Sequence, residues 1–197
     1  NPFPRRIILN RNIYITVVIL LLHMLSDYNA WKVLTAFFNN PLKEFGLREL
    51  SRKVKLAPKS VKNYLKEFIK KKIIIESVRN KSPIYKANRD NEEFIFYKKI
   101  CNQEILKESE VIKYIYDSCL PDMIILFGSF SKGEDIKNSD VDLYVQSKEK
   151  KLTLEKYEKM IGRKINIFFS PDLNKLSNEL KNNIINGIII KGYLKVF

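Results

Sequence analysis

Apolar residues recur at helical spacing in three successive stretches of the first half of the chain. Trp31, Leu34, Phe37 and Phe38 fall at i, i+3, i+6 and i+7, one face of a helix. Asn39, Asn40 and Pro41 end it, because proline keeps the preceding residue out of the α region. Leu47, Leu50 and Val54 mark a second, short helix. Residues 55–58 (KLAP) form a tight connection, and Pro58 suits the first turn of a further helix. Val61, Tyr64, Leu65 and Phe68 predict that third helix over residues 59–71. The pattern next turns to a β-branched run: residues 73–78 read as a strand, 79–82 as a turn and 83–86 as the returning strand.

Residues 89–120 form a mixed-charge, helix-prone stretch without Gly or Pro, with acidic residues where a helix would start. Phe94, Tyr97, Ile100, Ile105, Val111, Ile112 and Ile115 supply an apolar stripe, and a break is expected near residues 107–109. The stretch reads as a connector packed on one or both neighbours, or as a dimerisation helix. Beyond it, residues 123–127 (MIILF), 141–145 and 164–169 read as apolar strands, and 183–193 as core structure. Asp172 is expected to cap a helix after Pro171. The expected fold is α+β in two domains: an apolar extension at 1–24, a helix-and-hairpin domain at 25–88, a helical connector at 89–120 and a mixed α/β domain at 121–197.

The apolar run at 13–22 is about half of the ~20 residues that a spanning helix needs, and no A-x-A-like cleavage site comes after it. Residues 1–23 are therefore expected to be an upstream extension outside the compact protein, with His23 inert and no membrane association.

Charge sharpens the picture. The 197-residue chain carries a formal net charge of +14. Residues 25–88 hold 15 basic and 5 acidic side chains, so most of the excess sits in one third of the chain. Such clustering marks a polyanion-binding surface. Two cysteines, Cys101 and Cys119, are too few for a disulfide framework or a cysteine-based zinc site, and fit a reducing cytoplasm as packing residues. A single histidine argues against Ser-His or Cys-His catalysis. Chemistry must then come from carboxylates, lysines, hydroxyls and backbone.

The order helix, helix, helix, hairpin, with a basic hairpin tip, resembles the winged helix-turn-helix family of DNA-binding domains over about residues 28–88. With Val61, Leu65 and Phe68 inside, Lys59, Ser60, Lys62, Asn63 and Lys66 face outward, where Asn can read adenine edges and Lys can meet guanine or phosphate. Arg79 and Lys81 on the wing would reach backbone or minor groove. The implied partner is double-stranded DNA, with RNA left open, and a homodimer is expected if palindromic half-sites are read.

The stretch ILFGSFSKGEDIKNSDVDLYV carries Gly128 and Ser129 straight after a strand, then ten residues, then Asp140-Val141-Asp142 opening another. It is similar to the G-S-x10-D-x-D signature of the polymerase-β-like nucleotidyltransferases, in particular their minimal domains, over about residues 121–197. Asp140 and Asp142 are two apart on a strand, so both point to one face. Paired carboxylates ionise together readily only with a cation between them, and oxygen ligands suit Mg²⁺ or Mn²⁺ bound with substrate phosphates. Gly128 and Ser129 would let backbone N–H groups and a hydroxyl approach the triphosphate, Lys132 would neutralise phosphate charge, and Gly133 would give the backbone room. The resemblance implies an NTP, with ATP expected, as substrate or ligand. It also implies a third carboxylate on a neighbouring strand, where this chain has Asn166, a neutral amide that cannot take a proton.

Two functions fit these residues. One is a metal-dependent transferase that moves a nucleoside monophosphate from NTP to an acceptor; the resemblance implies that a protein such as a partner toxin is one candidate. The alternative is a winged-helix regulator whose weak or inactive transferase domain senses nucleotide or docks a partner. Intact Gly128, Ser129, Asp140 and Asp142 favour the first and Asn166 the second.

Overall fold

The computed structural model describes residues 29–194, and the expectations for the extension at 1–24, including His23, lie outside them. The fold is α+β, built on two sheets. Helix α1 (Asn29–Phe38) buries Trp31, Val33, Leu34, Ala36, Phe37 and Phe38. A strand of two residues, β1 (Phe45–Gly46), leads into α2 (Leu47–Val54). Lys55 ends α2 at φ 56°, and α3 (Pro58–Lys70) starts with proline in its first turn, where a missing N–H is harmless. Val61, Leu65 and Phe68 are buried on the inner face of α3. Each such side chain contributes roughly 1.5–3 kcal/mol of burial, which holds a helix whose outer face is almost entirely polar.

Strands β2 (Ile74–Arg79) and β3 (Ser82–Ala87) pair antiparallel, and β1 adds to the other edge of β3 through Phe45 opposite Tyr85. Pairing continues as far as Arg79 opposite Ser82. The expected four-residue turn is therefore a two-residue loop, Asn80 and Lys81, both left-handed at φ 49° and 60°. That conformation matches the twist of the two strands.

Helix α4 (Glu92–Glu108) is capped by Asn91, whose Oδ1 accepts from the Phe94 N–H at 2.9 Å. The break expected near 107–109 falls at Ser109 and Glu110, the latter at φ 58°, before α5 (Val111–Cys119). Helix α4 serves both halves: Phe94, Ile100 and Cys101 join the core of the first sheet, Leu106 that of the second.

The second sheet has the order β6-β5-β4-β7. Strand β4 (Met123–Phe127), wholly buried, pairs antiparallel with β5 (Val141–Val145) and β7 (Ile188–Gly192), and β6 (Ile165–Phe169) lies parallel to β5. Helix α6 (Gly128–Lys132) comes directly after β4, and α7 (Glu155–Ile161) precedes β6. Asp172 caps a single 3₁₀ turn (Leu173–Lys175) by accepting from the Asn174 N–H at 2.8 Å, and α8 (Asn178–Ile185) comes next. One face of this sheet packs with Leu106, Ile115 and Phe130; the other carries Met123, Ile125, Phe127, Tyr144 and Ile184. Among the described residues no helix is long and apolar enough to cross a membrane.

Candidate nucleotide site and basic helix face

Alternation along β5 sends Val141, Leu143 and Val145 into the core and Asp140 and Asp142 to the opposite face. The parallel register sets Asp142 beside Asn166. The Asn166 side chain meets both aspartates: its Nδ2 donates to Asp140 Oδ2 at 3.2 Å and to Asp142 Oδ1 at 3.0 Å. One amide nitrogen thus stands at the convergence of two carboxylates and donates to both.

Gly128 explains how Asp142 reaches this place. It sits at φ +73°, and a Cβ there would lie 2.5 Å from Asp142 Oδ2. Only glycine combines the left-handed backbone with that close approach. Ser129 is half-buried beside it, and Lys132, exposed, ends α6. The structure thus places Gly128, Asp140, Asp142 and Asn166 together, with Ser129 at their edge. At Gly133, with φ +71°, a Cβ would meet the Ile95 carbonyl oxygen at 2.8 Å, so the absence of a side chain lets the loop pack on α4.

The loop between α6 and β5 hangs on a buried charge cluster that sequence reasoning missed. Asp135 is fully buried, and its Oδ1 lies 2.6 Å from Lys98 Nζ while its Oδ2 lies 2.6 Å from an Arg163 nitrogen. Asn102 Nδ2 donates to Asp135 Oδ1 and to the Phe130 carbonyl, both at 2.8 Å. Lys98 also donates to the Phe38 carbonyl at 3.2 Å, where the end of α1 leaves acceptors unpaired. Arg163 stacks over Phe130 and donates to the carbonyls of Ile136 and of Ser139, the latter at 2.9 Å. Ser139 immediately precedes Asp140, and Arg163 lies three residues before Asn166. Burial lowers the Lys98 pKa, opposed chiefly by the Asp135 charge. Periodicity could not reveal this lysine, because it occupies a core position that an apolar residue would normally fill.

On α3, Lys59, Lys62, Asn63 and Lys66 are exposed and Ser60 half-buried. Positions 59, 62, 63 and 66 share one helix face, and exposed Lys70 extends it by a turn. Arg79 is the last residue of β2, not part of the turn as expected, because the loop is two residues long; its guanidinium lies 2.6 Å from Glu44. Lys81 is exposed at the loop tip.

Two carboxylate oxygens converge on one point, and the Asn166 carbonyl oxygen could replace its nitrogen there by a flip of the amide, so the residues fit one hard cation. Among the described residues no group of three or more His, Cys, Asp or Glu could hold a metal ion, and a second cation has no third carboxylate to lean on. The model of the family described as Polymerase beta, Nucleotidyltransferase matches residues 103–194, from within α4 to just beyond β7. This part of the chain is similar to a nucleotidyltransferase domain. No curated protein and no solved structure matches the chain.

Proposed function

We propose that the carboxy-terminal domain binds an NTP with one Mg²⁺ or Mn²⁺ at Asp140 and Asp142 and transfers its nucleoside monophosphate to an acceptor. The observation that carries this reading is the convergence of the two carboxylates beside Gly128 in a domain similar to nucleotidyltransferases. A cation held there supplies charge neutralisation to the phosphates. Gly128 and Ser129 border the triphosphate, and Lys132 offers a positive charge at the edge. In the transfer an acceptor hydroxyl attacks the α-phosphorus, the bond to the β-bridging oxygen breaks and pyrophosphate leaves. The hydroxyl proton passes to solvent, because Asn166 cannot accept it.

The amino-terminal unit, in this reading, is a winged helix that places the lysine face of α3 in the major groove of DNA and Lys81 near its backbone. These contacts are mostly to phosphate, so affinity falls steeply with salt. Arg79 contributes less, being held by Glu44.

A second reading is favoured by Asn166 itself: a neutral amide against the two aspartates, in place of a third carboxylate, suits a regulator that senses nucleotide and turns over slowly. Calorimetric titration of each NTP with Mg²⁺ into the protein and into Asp140→Asn/Asp142→Asn tests the shared premise. Metal-dependent binding lost in the double variant is expected; no binding by the unaltered protein would refute both readings of this domain. Transfer of label from α-labelled NTP to added protein or RNA acceptors then separates enzyme from sensor.

A further inference from the structure

The outer face of the carboxy-terminal sheet is covered unequally. Leu173, Leu176 and Leu180, with Ile184 of α8, pack on Met123, Ile125 and Tyr144, whose hydroxyl donates to the Ser170 carbonyl at 2.9 Å. Phe168, on the edge strand β6, is left 39% exposed. It stands opposite Tyr144 just as Asn166 stands opposite Asp142, so Asn166 and Phe168 share one face, offset along the strand by about 7 Å. The Phe168 ring is not loose: it meets the Phe127 ring at 5.4 Å between centroids and 63° between planes. Phe127 in turn immediately precedes Gly128.

An acidic pair and a braced, water-exposed aromatic ring therefore lie side by side on one face. Phosphate is the group that a carboxylate-held cation takes, and a flat π-system is what an exposed phenyl ring takes. The strand offset between them is comparable to the span from α-phosphate to base across a ribose. A nucleotide carries both groups at that separation. We propose that Phe168, braced by Phe127, is the base seat of this site, stacking the nucleobase and favouring purines for their larger ring area. This deepens, and rests on, the nucleotide reading above. Because stacking alone is offered, the seat does not distinguish adenine from guanine.

The test compares Mg²⁺ with inorganic tripolyphosphate against Mg²⁺ with ATP, GTP, CTP and UTP, titrated calorimetrically into the full chain. Phe168→Ala is expected to weaken purine nucleotides by about 5- to 150-fold and to leave tripolyphosphate unchanged. Phe168→Leu, which keeps an apolar side chain on the strand, should weaken them too, and Phe168→Trp should restore binding. Equal affinity of the unaltered protein for tripolyphosphate and ATP, or an equal loss of both in Phe168→Ala, would overturn the base seat and leave the nucleotide site standing. Failure of the unaltered protein to bind either would overturn both.

Discussion

Replacing Asp135 by alanine removes the carboxylate that stands between two buried or nearly buried cations. Lys98 is 1% exposed and Arg163 9%, and each has its 2.6 Å contact with a different oxygen of Asp135. Without it, Lys98 retains the Phe38 carbonyl at 3.2 Å and Arg163 retains carbonyls of the loop. Removing one partner of a buried ion pair typically destabilises by about 3–5 kcal/mol, because the other charge stays buried and uncompensated. With an m-value of about 2 kcal/mol per molar in urea, the midpoint should fall by about 2 M. The pH dependence gives an independent check. Burial already holds the Lys98 pKa below the ordinary lysine value, so between the two values the unfolded chain binds more protons and stability rises with pH. Losing Asp135 removes the main opposing influence, so in the variant this rise should begin at lower pH. Adding Lys98→Met should recover part of the loss, since it takes away the stranded charge. Urea unfolding followed by circular dichroism at several pH values measures all three quantities. A midpoint shift below about 0.5 M, or a double variant less stable than Asp135→Ala, would refute the reasoning.

Asn166→Asp exchanges two N–H donors for a third negative charge, so without metal the variant should lose about 1–3 kcal/mol; Mg²⁺ should raise its melting temperature more than it raises that of the unaltered protein, and an equal response would show that position 166 does not touch the cation. Gly128→Ala forces a Cβ onto Asp142 at a left-handed backbone position; it should destabilise by about 1–3 kcal/mol and abolish Mg²⁺-dependent NTP binding, both visible in thermal shift with and without ligand. Lys81→Gly relieves a left-handed lysine in the hairpin loop and should stabilise by about 0.5–1 kcal/mol. The same change should reduce the slope of log affinity for duplex DNA against log salt by about 0.9, measured by fluorescence anisotropy; an unchanged slope would place Lys81 away from the phosphates.

Elements with a one-sided apolar pattern were legible in the sequence. Val61, Leu65 and Phe68 define α3, and the fully apolar run at 123–127 reads as the central strand that it is. Strand β1 was not legible, because two residues carry no period and its existence depends on pairing with Tyr85 and Ile84 far along the chain. Helix α7 has no buried residue and hence no stripe to read. The sequence pattern predicts a four-residue hairpin turn, because no glycine marks the left-handed pair at Asn80 and Lys81. At the site, the spacing of Gly128, Ser129, Asp140 and Asp142 was readable, since it is local. That Asn166 donates to both aspartates was not, because it depends on the register of β6 against β5 and on rotamers.

The ten residues between Ser129 and Asp140 look like a spacer, but their content is structural. Asp135 must fall beneath α4 to meet Lys98 and Asn102, and Ser139 must fall beside Arg163. The same arginine leads into the strand that carries Asn166, so one guanidinium ties together the approaches to both strands of the site. Lys98 and Asn102 lie just before the stretch matched by the nucleotidyltransferase family, in a helix whose first turns pack on the amino-terminal unit. The site's loop is therefore anchored on α4 at residues just ahead of the stretch similar to nucleotidyltransferases. A single chain of contacts, from the Phe38 carbonyl through Lys98, Asp135 and Arg163 to the Ser139 carbonyl, joins the end of α1 to the residue before Asp140. Because the three side chains in it are charged and shielded from water, none can be removed without stranding its neighbour. The residue before Asp140 is thus linked through these contacts to the end of α1.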